Sequence, residues 1–163
     1  MTESAVTYVT DDMRASKDVW GESQTSLPIA ASDIRKWAIA TFWPETPPPV
    51  YWDEAHAKTT QWGGVIAPPD FNPFAWPVER SRGHQPPGKR PDGKAFTGMN
   101  GGQTDTYGVA MRPGDVVTAR SRLVDWTERT GRFGLTMYTT TETEWRNQDD
   151  DLVKRRMSIG IRY

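Results

Sequence analysis

The sequence predicts an α+β fold. Apolar positions recur at helical spacing before residue 78, and period-two alternation dominates after residue 103. Helical segments followed by a run of long antiparallel strands give that class, rather than an alternating parallel sheet. The 163 residues suffice for one domain with a single core. Eight Trp and thirteen Pro stand out at this length. Large rings among rigid corners suggest an aromatic surface shared with a ligand or another chain.

Residues 1–18 are polar and read as a flexible N-terminal arm, leaving 19–163 as the folded domain. From Ala31 the pattern turns helical: Ser32 and Asp33 suit an N-terminus, and Ile34, Trp37, Ala38 and Thr41 share one face. Pro44 stops this helix, and Pro47-Pro48-Pro49 imposes an extended corner. A second short helix is expected over Tyr51–Trp62, closed by Gly63-Gly64, and about two turns of helix over Asp70–Trp76. Residues 78–97 form a loop by composition, with Arg80, Arg82, Lys89, Arg90 and Lys94 against Glu79 and Asp92. Asn100-Gly101-Gly102 reads as a bulged entry to a strand over Gln103–Met111, and Arg112–Asp115 as a turn. Val117, Ala119, Ser121 and Leu123 alternate with Thr118, Arg120 and Arg122 in the next strand. A hairpin loop at Thr130-Gly131, a strand over Leu135–Trp145, a turn over Asn147–Asp151 and a last strand over Leu152–Tyr163 complete the pattern.

A net charge of -1 argues against general attraction to nucleic acid or membrane. The absence of Cys excludes disulfide and thiolate chemistry and fits a cytoplasmic location. The first thirty residues carry acidic side chains and no long apolar run, so neither a secretory signal nor a membrane span is expected.

Three stretches carry a resemblance. Ser32–Phe42 (SDIRKWAIATF) is similar to the helix that opens MaoC-like dehydratase domains. Tyr51–Pro69 (YWDEAHAKTTQWGGVIAPP) is similar to the segment after their active-site motif, and Arg112–Asp115 with the following strand to their second half. From Gly21 onward the chain resembles the MaoC-like hot-dog dehydratases and hydratases, of the N-terminal, FAS1-like type. The resemblance implies a hot-dog fold, a long antiparallel sheet wrapped around a short central helix, pairing into a double hot dog.

Catalytic members of that family carry Asp-x-Asn-Pro-(Ile/Val)-His, a short helix, and Ile-Ala-His-Gly. On this chain the family's Asp falls at Thr46, its Asn at Pro48, its Pro at Pro49, its aliphatic at Val50 and its His at Tyr51. Their reaction adds water across a 2-enoyl thioester: C3 receives hydroxide and C2 a proton, from one water held by carboxylate and imidazole. Thr46 cannot act as a carboxylate, and a tyrosine titrates near ~10, away from neutral pH. The backbone N–H that the family aims at the thioester oxygen comes from a Gly that falls at Pro69, which has none. The resemblance therefore extends to the non-catalytic halves of heteromeric enzymes in mycobacterial fatty-acid elongation and sterol degradation, and Ala67-Pro68 looks like those halves.

What this implies is an acyl-chain-binding subunit of an (R)-specific enoyl-CoA hydratase or 3-hydroxyacyl-thioester dehydratase. A MaoC-like partner, in a heterodimer or heterotetramer, would supply Asp and His. Val50, Trp62, Phe71, Phe74 and Trp76 are the expected acyl-site residues, and Pro73 and Pro77, which interrupt the central helix, would widen its groove. Arg80, Arg82, Lys89 and Arg90 could meet coenzyme A phosphates, or form a solvated loop. Coenzyme A or acyl carrier protein would enter as part of the substrate, with no separate cofactor and no metal. A self-sufficient hydratase using Glu45, Asp53 or His56 is the alternative, although His56 also reads as a surface histidine, as does His84. A non-enzymatic acyl-thioester binder, and a thioesterase using Asp70, are further rivals.

Overall fold

The computed structural model describes residues 6–77 and 89–163. Five strands form one antiparallel sheet: β1 (Gln24–Thr25), β2 (Gly98–Tyr107), β3 (Thr118–Gly131), β4 (Gly134–Arg146) and β5 (Leu152–Arg162), in the order β1-β3-β4-β5-β2. Helices α1 (Asp11–Ser16), α2 (Ala31–Phe42) and α3 (Glu54–Thr59) and a 3-10 turn over Pro49–Tyr51 complete the elements.

The strands follow the expected alternation, with local shifts. β2 starts at Gly98 and ends at Tyr107, earlier than expected on both counts, although the N–H groups of Gly108 and Val109 still donate to the Val153 and Leu152 carbonyls of β5. Its register slips between Asn100 and Gly102, the bulge that the Gly pair suggested; Gly102 takes φ +122°, and Asn100 Oδ1 accepts from its N–H at 2.9 Å. In the β3–β4 hairpin Gly131 still pairs with Gly134, so Arg132 and Phe133 form the loop rather than Thr130-Gly131. A second bulge, between Leu123 and Asp125, turns Trp126 and Glu128 to the face that Ala119, Ser121 and Leu123 occupy before it.

The core sits at one end of the sheet. Ile29, Ile34, Ala67, Phe71, Met111, Val117 and Val153 are buried together, with Trp37, Tyr51, Val65, Phe74 and Trp145 packed around them. From α2 the inward face supplies Ile34 and Ala38, both fully buried, and Trp37, whose ring meets Phe71 at 5.6 Å and Trp76 at 6.1 Å. Thr41 is exposed, not part of that face; its hydroxyl donates back to the Trp37 carbonyl at 3.0 Å.

Two expected helices are shortened or lost. The second keeps only Glu54–Thr59, because Asp53 caps it and the preceding prolines favour a 3-10 turn. Over Asp70–Trp76 there are turns instead of helix: Asn72 Oδ1 accepts from Phe74 N–H at 3.0 Å, and Pro73 has no N–H to offer an α-helix.

The N-terminal arm is docked from Thr7 onward. Thr10 caps α1 by accepting from Met13 N–H. Tyr8 is buried and meets Phe96 edge-on at 4.8 Å. Its N–H and the Thr7 hydroxyl donate to Glu128, Lys17 pairs with Asp125 at 3.2 Å, and the N–H groups of Asp18 and Gly21 donate to the carbonyls of Leu123 and Ser121. The arm therefore runs along β3 from its hairpin end, where Tyr8 and Met137 are buried apart from the main cluster. Composition misses this, because the anchors are backbone bonds, one buried ring and polar side chains whose partners lie more than a hundred residues away.

The opposite sheet face carries a cross-strand charge ladder. Glu142 and Glu144 on β4 are buried beneath arginines from both neighbouring strands. Arg122 Nη2 lies 2.7 Å and Arg155 Nε 3.0 Å from Glu142. Arg120 Nη2 lies 2.7 Å and Arg146 Nε 2.8 Å from Glu144. The guanidinium of Arg146, then that of Arg120, holds the Glu144 carboxyl down to about 2 from its usual 4.5, against the opposing effect of burial.

Two predictions follow from this packing. A folded value below the unfolded one means stability is present above pH ~4.5 and is lost as pH falls toward ~2, by at most about 3 kcal/mol before screening at the exposed arginines. Glu144→Gln should lower the urea midpoint at pH 7 and flatten that acid limb; an unchanged limb would remove Glu144 from the account. Gly108 has no room for a side chain, since a Cβ there would meet the Leu152 carbonyl oxygen at 1.9 Å. Gly108→Ala should therefore destabilise the chain by at least about 2 kcal/mol in the same measurement.

Candidate functional site

The proline corner builds the site. The Trp43–Pro44 peptide is cis, and Trp52 Nε1 donates to the Pro47 carbonyl at 2.9 Å, which clips Pro47–Pro49 to the start of α3. The 3-10 turn that follows points Val50 and Tyr51 toward the core side. Residues 65–69 are laid alongside by backbone bonds: Ile66 N–H donates to Val50 O at 3.4 Å and Ala67 N–H to Met111 O at 2.8 Å. The Arg112 guanidinium donates to Trp62 O at 2.8 Å and fixes the near edge.

Between these segments lies a cavity of about 230 Å³. Val50, Tyr51, Trp62, Ile66, Pro68 and Pro69 form one wall, and residues 107–111 with Val153 and Lys154 form the other. Burial pushes the Tyr51 hydroxyl up from its ordinary value, and the Asp70 carboxylate adds to that. Tyr51 therefore stays a neutral hydroxyl at any physiological pH, able to donate or accept a hydrogen bond but not to act as a base at neutral pH.

Of the three positions aligned with the family's catalytic groups, Tyr51 and Pro69 line this cavity, while Thr46 lies exposed in the corner. Val50 and Trp62 line it as well. The other expected acyl-site residues, Phe71, Phe74 and Trp76, line a separate cavity of about 310 Å³ with residues 24–29. The division has a local cause. Ala67 and Pro68 are buried and the chain reverses immediately after them, with Phe71 N–H donating to Pro68 O at 2.9 Å.

The alternative catalytic residues are not brought together. Glu45 is exposed, and Asp53 Oδ1 accepts from His56 N–H at 3.0 Å as the cap of α3. His56 is exposed in the first turn of that helix, and none of the three lines either cavity. Lys89 is exposed in a β-bridge with Ala95, and Arg90 pairs with Asp92 at 3.0 Å. Arg80, Arg82 and His84 lie outside the described residues. Among the described residues, no group of three His, Asp or Glu side chains is placed to hold a metal ion, and no helix is long and apolar enough to cross a membrane.

A charged group that the sequence reading passed over stands beside the cavity. The Lys154 ammonium lies 3.5 Å from Asp105 Oδ2, with the Trp145 ring centroid at 4.6 Å and that of Tyr107 at 5.5 Å. Burial lowers its pKa, and neighbouring Arg156 adds to that. Asp105 is held bidentately by Arg156, at 2.7 and 2.8 Å, and this hydrogen bonding keeps its carboxyl below the usual range. The signal lay in two residues on alternate positions of the last strand, Lys154 and Arg156, facing the same way as Trp145. Their partner Asp105 becomes visible only once the β2–β5 register is known.

No curated protein matches the chain in sequence. In structure it is similar to the ChsH1-ChsH2 complex from Mycobacterium tuberculosis, with a TM-score of 0.67 and 18% identity over 92% of this chain and 86% of that one. A MaoC-like dehydratase from Rhodospirillum rubrum gives 0.58 and 17%, covering 86% and 90%. The HadBC (3R-hydroxyacyl-ACP dehydratase) complex from M. tuberculosis gives 0.56 and 15%, covering 86% and 96%. These likenesses establish the hot-dog fold, with its helical element short. The FAS1-like dehydratase domain region matches residues 19–156, most of the chain, and the protein thus belongs to that family of hot-dog dehydratases and hydratases.

Proposed function

We propose that this chain is the non-catalytic, acyl-binding half of a heteromeric (R)-specific enoyl-thioester hydratase or 3-hydroxyacyl-thioester dehydratase. The observation that carries the reading is the cavity wall itself. Where the family places an imidazole and an oxyanion N–H, an apolar cavity is lined by a tyrosine that stays neutral and by a proline. Both are compatible with holding an acyl group, and neither can activate water or stabilise an enolate.

A MaoC-like partner would contribute Asp, His and the oxyanion donor. The open flank of β2 supports such pairing: among the described residues it is bonded to β5 alone and is exposed along nearly its whole length, so its other edge could continue into a second sheet. That two of the similar structures are complexes fits the same arrangement. Coenzyme A or acyl carrier protein would arrive as part of the substrate, with no separate cofactor, in the cytoplasm. In the self-sufficient alternative Glu45, Asp53 or His56 would act, but Asp53 is occupied as a helix cap and the other two stand away from the cavity.

The test is hydration of crotonyl-CoA and longer enoyl-CoAs by the chain alone, by a co-expressed MaoC-like chain carrying Asp-x-Asn-Pro-x-His, and by both together. The expected result is a stable complex, turnover only with the partner present, and loss of turnover when the partner's His is replaced. Turnover by the isolated chain that disappears in His56→Ala would replace this reading with the self-sufficient one. A chain that binds acyl-CoA but neither forms a complex nor gains activity would instead be a non-enzymatic binder.

A further inference from the structure

One cation in the cavity wall has no part in holding an unsubstituted acyl chain. Lys154 is 3% exposed, and the polar partner of its ammonium among the described residues is Asp105, at the long distance of 3.5 Å. Asp105 is itself engaged by both donors of the Arg156 fork. Two cations therefore share one directly bonded carboxylate, with the Asp70 carboxylate acting on Lys154 only from a distance, so the ammonium is short of direct acceptors next to an apolar space. A buried ammonium has three donors, and leaving them short of acceptors is costly. The Trp145 and Tyr107 rings offset part of that cost and confine the ammonium, and Tyr107 also forms part of the cavity wall. At about 230 Å³ the space falls below the ~300–1,000 Å³ usual for a whole ligand, so it takes one end of a molecule.

We infer that Lys154 is a specificity-determining residue whose ammonium anchors a hydrogen-bond-accepting oxygen carried by the acyl group in this cavity. The shared chemistry is a ketone or carboxylate oxygen on an otherwise apolar carbon frame. The apolar atoms pack against Val50, Ile66 and Met111, and the oxygen completes the shell of the lysine. This inference rests on the acyl-thioester reading and narrows its substrate class from acyl groups in general to oxygen-bearing ones.

The experiment is calorimetric binding of hexanoyl-CoA, 5-oxohexanoyl-CoA and adipoyl-CoA to the full chain, with its catalytic partner where a complex forms. Wild-type protein should bind the two oxygenated thioesters about tenfold or more tighter than hexanoyl-CoA, as a hydrogen bond to a charged donor implies. Lys154→Met should abolish that preference, so that the three thioesters bind within about twofold of one another. Lys154→Gln, which keeps a neutral donor, should retain preference for the ketone and lose it for the carboxylate; it carries the same comparison if the Met variant fails to fold. Equal affinity for all three ligands in wild type, or a preference that survives both substitutions, overturns the role of Lys154 while the acyl-thioester reading stands. Failure of all three to bind either the chain or its complex overturns both.

Discussion

The buried carboxylates of Glu142 and Glu144 lie beneath arginines from β3, β4 and β5, and the rest of the sheet depends on that arrangement. Each carboxylate takes arginines from more than one strand, and a buried charge stripped of all of them would cost far more than an exposed ion pair contributes. A one-residue slip of β4 would turn both carboxylates to the core face and carry Met137 and Trp145 out of it. The ladder thus fixes the register on one face, and that register sets the other face, where Trp145 meets Lys154 and Phe74. The cavity wall on β5 is in this sense positioned from the far side of the sheet.

The strands were legible because alternation survives in sequence even where bulges interrupt it. The Asn100–Gly102 bulge could be read directly, since a Gly pair next to Asn has few other uses, whereas the Leu123–Asp125 bulge could not, since no Gly or Pro marks it. About two turns of helix were expected over Asp70–Trp76, but Asn72 and Pro73 together favour turns. The arm looked unstructured because its fixation uses Tyr8, Glu128 and backbone groups that share no local pattern.

The candidate site was legible where it is contiguous. Val50, Tyr51, Trp62 and Pro69 belong to one stretch of chain, and the structure brings them to one cavity. Phe71, Phe74 and Trp76 follow only a few residues later but lie past the reversal at Pro68, which sequence spacing does not reveal. Lys154 and Asp105 were hidden for a different reason. They meet through a pairing between the second and last strands, and each alone looks like an ordinary charged strand residue. Proline dominates the site at both levels. It shapes the corner that carries Val50 and Tyr51, and at Pro69 it removes a donor that no repacking can restore.

The strand order has a consequence for how the chain is made. β2 lies near the middle of the sequence, yet its one strand partner among the described residues is β5, the last of the five. During synthesis β3 and β4 can close their hairpin as soon as both emerge, while residues 98–107 must wait unpaired until residues 152–162 leave the ribosome. Gly108, pressed against Leu152, marks where that delayed closure is completed. For this interval the nascent chain exposes a ten-residue strand in which, apart from Met99 and Tyr107, only Gly, Asn, Gln, Thr and Asp are offered to a premature partner.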